Sequence, residues 1–238
     1  MNKQLNKKLL ANNASWTFDN DVWKNFDLHI NNSIPLYLLC HKLGLEISDF
    51  FLEKHSRVID LGSSTGTFIN KLSKRHQIKN LEIKGYESIK KMIYAAKKNN
   101  KNAKNVKFLQ KDIVKCKFHD NIDLITSFFT ISFIKPVFRQ VIFNKIFKSL
   151  NWGGAVIFFD KVRAPDARFQ DIMTQIYTNF KLDRNFSPHE ILNKSNSLKG
   201  VLEPYSTKEN FLFLKRAGFK DYMTIFKCIT FEGFLAIK

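Results

Sequence analysis

The segment Val58-Ile59-Asp60-Leu61-Gly62-Ser63-Ser64-Thr65-Gly66 constrains this chain more than any other stretch. A short β-branched run stops at a glycine-rich turn, and helical spacing (Phe68, Ile69, Leu72) begins directly after it. Strand, tight turn and helix in that order open a βαβ unit. The alternation then continues. Residues 81–87 read as a strand, 88–98 as a helix, and 106–109 and 122–127 as strands. Residues 137–150 read as a helix ending at Trp152-Gly153-Gly154. Ala155–Phe159, five apolar residues and as long as any apolar run in the chain, fits a parallel strand covered on both faces. Residues 169–180 and 207–217 follow as helices, with Gly218 at a helix C-cap, and 222–229 and 233–237 close the chain as an antiparallel pair. Upstream, Val22, Trp23, Phe26, Ile30, Leu36, Leu39, Cys40 and Leu43 have helical spacing, with Pro35 expected in the first turn of a second helix. The expectation is an α/β fold: a mostly parallel seven-stranded sheet with helices on both faces.

Such a sheet binds ligands outside the carboxyl ends of its strands, where the strand order reverses. The glycine turn belongs at that rim. It is neither G-x-G-x-x-G nor G-x-x-x-x-G-K-[ST], and Asp60 inside it would repel a pyrophosphate. Glu87 ends the second strand, where an acid can accept both hydroxyls of a ribose. Lys111-Asp112-Ile113 follows the third strand, where a side chain can meet an adenine amino group. Acid-bearing glycine turn, strand-end acid and third-strand acid together suit S-adenosylmethionine, a ligand with an ammonium group and hydroxyls.

The chain from about Phe18 resembles the class I methyltransferases, with a Rossmann-like core. More narrowly it resembles the tRNA wobble-uridine carboxymethyltransferases that make 5-oxyacetyl-uridine. The segments that carry the narrower resemblance are Phe18-Asp19-Asn20-Asp21-Val22, Ser33-Ile34-Pro35-Leu36-Tyr37, Phe129–Ile134, Leu150–Ala155, Ser197–Val201, Lys215–Phe219 and Phe231–Ala236. The resemblance implies a flexible N-terminus (1–17), a helical lid (18–56) and a core with inserted helices (57–238). It implies that Tyr37 closes over the methionine end of the cofactor, that Asp60, Gly62, Ser63, Ser64 and Gly66 form its cradle, that Glu87 holds the ribose beside Ser88, and that Asp112 and Ile113 frame the adenine. Phe128 stands where the family has an Asn. Asn196 aligns with an Arg that clamps the extra carboxylate of carboxy-S-adenosylmethionine, with Lys194 and Lys199 nearby. A planar guanidinium matches a carboxylate bidentately and an amide does not. Plain S-adenosylmethionine is therefore the expected cofactor, ahead of the carboxylated form. Lys161, at the end of the fifth strand, and Asn196 are the candidate substrate-binding residues; no general base is assigned.

The net charge of +18 raises the question of a polyanionic partner. Only seven of the 39 basic residues are Arg, as an AT-rich coding bias would give, yet such a bias should raise Glu as well, and Asp plus Glu number 21. Residues 71–117 hold 15 basic residues against three acids. A tRNA or other RNA is one expected partner, and a small-molecule acceptor with an oxygen nucleophile the other. A carboxymethyltransferase and a non-catalytic cofactor-binding protein are the alternatives, and a homodimer is a further expectation. No apolar run approaches the roughly 20 residues of a membrane helix, and Lys3, Lys7 and Lys8 are followed by no signal-peptide core. Cys40, Cys116 and Cys228 lack metal-ligand spacing. A cytoplasmic protein with free thiols and no metal is expected.

Overall fold

The computed structural model describes residues 15–17, 23 and 25–238. The Phe18–Val22 motif and most of the N-terminal extension lie outside the described residues. Among the described residues, two α-helices, α1 (Phe26–Ser33) and α2 (Tyr37–Ser48), precede the sheet. The turn between them holds Pro35, and Leu36 precedes α2 in the left-handed region at φ 57°, so Pro35 lies before the second helix rather than in its first turn.

The sheet is built from β1 (Arg57–Leu61), β2 (Glu82–Glu87), β3 (Val106–Gln110), β4 (Ile122–Phe128), β5 (Leu150–Lys161), β6 (Asp221–Cys228) and β7 (Phe231–Ile237), in the order β3-β2-β1-β4-β5-β7-β6. The first five strands pair in parallel; β7 runs antiparallel between β5 and β6. Strand order reverses between β1 and β4, which puts the glycine turn at the switch point. Helices α3 (Thr67–Arg75), α4 (Lys90–Asn99), α5 (Pro136–Ser149), α6 (Ala167–Asp183), α7 (Pro188–Ser197) and α8 (Thr207–Ala217) complete the chain.

The period of two in a strand divides the core. Along β5, Ala155, Ile157 and Phe159 face one apolar layer with Cys40, Phe68, Ile69, Leu72 and Ile93. Val156 and Phe158 face the other, with Ile142, Phe143, Ile146, Phe213 and Leu214. The segment Leu150–Gly154 departs from expectation. It opens β5 instead of ending a helix, because α5 stops at Ser149 and Leu150 is extended at ψ 142°. Helix α7 is absent from the sequence reading, although its signal is local: Ser187 and Glu190 form a capping box around Pro188. Its lack of a long apolar run hid it, since Ile191 is its one buried residue.

Candidate active site

The carboxyl ends of β1, β2 and β4 open on a cavity of about 1180 Å³. Gly62 begins its floor. Its N–H donates to the Tyr86 carbonyl at 2.8 Å and its φ is +75°. A Cβ there would sit 2.2 Å from Thr130 Oγ1, so only glycine lets the turn pass beneath the β4 loop. Glu87 ends β2 and is buried. Its Oε2 accepts the Ser64 N–H at 3.0 Å, and its Oε1 accepts the N–H groups of Ser88 at 2.7 Å and Ile89 at 2.9 Å. These bonds fix the carboxylate in place, and Oε2, which accepts one of them, keeps further lone-pair capacity.

Gly62, Ser64, Glu87, Ser88, Asp112, Ile113 and Phe128 all border the cavity. The residues present fit S-adenosylmethionine: a turn no side chain obstructs, a fixed carboxylate of the kind that accepts ribose hydroxyls, and Asp112 with Ile113 on the wall beyond it. Phe128 contributes apolar wall. Its ring stacks on Phe159 at 5.2 Å and packs on Phe68 at 4.4 Å.

Five of the expected residues stand outside the cavity lining. Asp60 lies behind the turn, accepting from Thr126 Oγ1 at 2.7 Å, its register partner on β4. Burial pushes its carboxyl up to about 7, opposed by the Thr126 bond and reinforced by the charge of Glu87. Ser63 is buried beneath the turn. Gly66 adopts φ +74° at the start of α3, packed against Asn100 and Phe108. Those three shape the cradle from behind. Tyr37, expected to close over the cofactor, is instead buried against His41 at 4.5 Å and Phe129 at 5.8 Å. Burial raises the pKa of its hydroxyl. Leu36, immediately before it, holds the left-handed conformation at the start of α2. Asn196 is the fifth. On α7 Ile191, Lys194 and Ser195, and Leu198 at its C-cap, line the cavity at helical spacing, and Asn196 lies about 100° round the helix from Ser195.

Lys161 does reach the cavity, and the far wall around it was largely unread in the sequence. Tyr177 and Lys181 come from α6, Lys194 from α7, and His29 and Ser33 from α1. Beneath them Asp160 is buried, bonded by Ser132 Oγ and by the Lys161 N–H at 2.9 Å. Burial raises its carboxyl to about 6 despite those bonds and the nearby Arg139. Arg139 is itself buried, donating to the carbonyls of Ile134 at 2.8 Å and Ser132 at 3.0 Å, which holds the loop after β4. Among the described residues, no cluster of three or more His, Cys, Asp or Glu has the geometry to hold a metal ion, and no helix is long and apolar enough to cross a membrane.

Residues 52–218 match the family model described as a methyltransferase domain. A solved S-adenosylmethionine-dependent methyltransferase from Aquifex aeolicus shares the fold, with a TM-score of 0.62 and 17% identity over 93% of this chain and 99% of that one. The sheet, the glycine turn and Glu87 thus define a class I methyltransferase fold that takes S-adenosylmethionine as its cofactor. Two curated relatives are similar along nearly their whole length. The carboxy-S-adenosyl-L-methionine synthase of Staphylococcus epidermidis is 36% identical, covering 95% of this chain and 99% of the relative. That of Campylobacter lari is 32% identical over 100% of both chains. The chain belongs to the carboxy-S-adenosyl-L-methionine synthase family of S-adenosylmethionine-dependent enzymes.

Proposed function

We propose that this enzyme converts S-adenosylmethionine into carboxy-S-adenosylmethionine. The observation that carries the reading is one cavity shared by two chemistries. Its near end has the cofactor residues Gly62, Ser64 and Glu87; its far end continues past them to Lys161, Tyr177 and Lys194. At about 1180 Å³ it exceeds the roughly 300–1,000 Å³ of common ligand sites, leaving room for a second reactant beside the cofactor.

The bound cofactor supplies a methyl carbon activated by its sulfonium. The protein supplies placement and dryness. Glu87 fixes the nucleoside, the Gly62 turn admits the methionine end, and the aromatic wall of Phe128, Phe129 and Phe231 excludes water from between the reactants. In-line placement of two reactants can account for much of the barrier, roughly 7–11 kcal/mol in favourable cases. The full-length similarity to the named synthases supports this reading over plain methyl transfer. Incubating the protein with S-adenosylmethionine and a panel of small carboxylic acids, then weighing the nucleoside products by mass spectrometry, tests it. The expected product carries a carboxyl group in place of a methyl hydrogen. S-adenosylhomocysteine as the sole product would return the enzyme to ordinary methyl transfer.

A second reading, transfer to an RNA acceptor, is favoured by one observation. Lys90, Lys97, Lys98, Lys101, Lys104 and Lys107 are exposed along α4 and the β3 edge, and Lys111 and Lys115 of the same block border the cavity. If a tRNA crosses that surface, affinity falls with salt at a log–log slope of about −0.7 to −0.9 per phosphate neutralised. Changing Lys97, Lys98, Lys101 and Lys104 to Glu then flattens the slope and leaves cofactor affinity intact. RNA binding that ignores both salt and these changes removes the reading.

A further inference from the structure

The loop after β3 carries Asp112 and Ile113 along the cavity wall, and a lysine from another element holds it from behind. The loop is one tight turn. The N–H groups of Lys115 and Cys116 both donate to the Asp112 carbonyl, at 3.1 Å and 2.8 Å, and the Val114 N–H donates to Asp112 Oδ1 at 2.8 Å. A turn this short leaves its later carbonyls without helical partners. Lys145 meets three of them. Its Nζ donates to the carbonyls of Ile113 at 3.3 Å, Val114 at 2.5 Å and Cys116 at 2.8 Å, and stands 5.6 Å from the centre of the Phe118 ring. An ammonium has three N–H donors, so the whole donor capacity of Lys145 goes into this turn.

Lys145 itself stands outside the cavity lining. It projects from α5, where Ile142, Phe143 and Ile146 beside it are fully buried, so its stem starts from a fixed point. Its influence reaches the cavity through one peptide group. The Ile113 carbonyl and the Val114 N–H belong to the same trans peptide and point opposite ways. One end meets the Lys145 ammonium and the other the Asp112 carboxylate. Opposite charges at the two ends of a peptide dipole polarise it in one sense, and hydrogen bonds in such a chain strengthen one another. The second oxygen of Asp112, Oδ2, has a loose ion pair with Lys115 at 3.9 Å, a surface contact that fixes little. The Val114 N–H therefore orients the carboxylate, and Lys145 orients the peptide that carries that N–H.

We propose that Lys145 is a positioning residue of the cofactor site: by fixing the turn after β3 it aims Asp112 at the amino group of the adenine, and so sets the preference for an adenosyl ligand over one whose base carries an oxygen there. The proposal rests on the reading that places the adenine at Asp112 and Ile113. A carboxylate accepts a hydrogen bond from an amino group and repels a carbonyl oxygen. A site built to bond a donor rejects the analogue that lacks it, because its acceptor is then left unpaired. That penalty holds only while the acceptor is fixed; a carboxylate free to swing turns back to water and loses the discrimination.

Calorimetry on the full chain with S-adenosylhomocysteine and S-inosylhomocysteine, which differ at that amino group, tests the proposal. Wild type is expected to prefer the adenosyl ligand by about tenfold or more. Lys145→Met keeps the stem and removes the donors, and should cut the preference to about twofold. Lys145→Gln, with an amide on a shorter stem, should give an intermediate preference, and it carries the test if the Met variant does not fold. The ratio of the two affinities is the readout, because a variant that merely loosens the fold weakens both ligands together. Glu87→Ala is the control: it should weaken both and leave the ratio within about twofold of wild type. Asp112→Ala should remove the preference, and adding Lys145→Met to it should remove nothing more. A ratio unchanged in both Lys145 variants while Asp112→Ala abolishes it overturns the proposal and leaves the adenine placement standing. A ratio that falls as far in Glu87→Ala as in Lys145→Met also overturns it, since the loss is then general. A ratio that survives Asp112→Ala, or a wild type without a preference, overturns the adenine placement and the proposal together.

Discussion

The two ends of the cavity are built in opposite ways. At the cofactor end, the residues from Asp60 to Ile113 follow one another through three strand–turn units, and each side chain is positioned by its own turn. Glu87 is held by N–H groups one and two residues after it and by Ser64. At the far end, His29, Lys161, Tyr177 and Lys194 come from four elements, and the Tyr177–Ser33 bond spans 144 residues. The first end is rigid by local geometry. The second depends on α1, α6 and α7 staying docked against the sheet, and α6 has no buried residue among its 17. The cofactor end should therefore survive damage to the far end.

The largest expected effect is at Gly62. Gly62→Ala combines a left-handed backbone, about 1–2 kcal/mol, with a collision against Thr130, about 1–3 kcal/mol for overpacking. Stability should fall by a sum of that order in urea unfolding, with cofactor binding lost by calorimetry. Wild-type affinity in that variant would show that the turn does not set the cradle. Next is Glu87→Ala. Charge-assisted bonds are worth about 1.5–3 kcal/mol each, so cofactor affinity should fall at least tenfold by calorimetry. Unchanged affinity would remove the ribose assignment.

The buried Asp60 gives a pH signature at the cofactor end. Its folded pKa, about 7, lies above the unfolded value near 3.8. The folded state therefore keeps a proton that the unfolded state has released. The contribution to stability is present below about pH 4 and is lost as pH rises toward 7, at up to about 1.4 kcal/mol per unit. Asp60→Asn keeps an acceptor for Thr126 and should flatten that decline in urea midpoints measured from pH 4 to 7. An identical slope in the variant would place the titration elsewhere; Asp160, raised to about 6, is the next group to replace. The smallest effect is Ser187→Ala, which removes the α7 capping box for about 1 kcal/mol. It should lower the urea midpoint slightly and leave cofactor affinity within twofold. Cofactor affinity that falls well beyond twofold would mean that the two ends are coupled.

The sheet was legible because a period of two with glycine punctuation is a local code: β1, β2 and β4 begin and end within a residue or so of where their runs of apolar and turn residues place them. Glu87 was legible for the same reason, since a strand end fixes where its last side chain stands. The burial of Tyr37 was not legible, because it follows a left-handed Leu36, a conformation that a leucine does not advertise. Asn196 stands off the cavity wall because residues 188–197 form a helix absent from the sequence reading, and one residue along a helix turns a side chain by about 100°.

By itself, the sequence determined the alternating strands and helices, the glycine turn and the acid that follows β2, because each depends on neighbours a few residues away. Only the tertiary structure decided which lysines share a wall. That depends on how α1, α6 and α7 dock across the end of β5, where Tyr177 and Ser33 become neighbours although 144 residues separate them. Ammonium groups on long stems carry no periodic signal, and their grouping appears only once packing has gathered them.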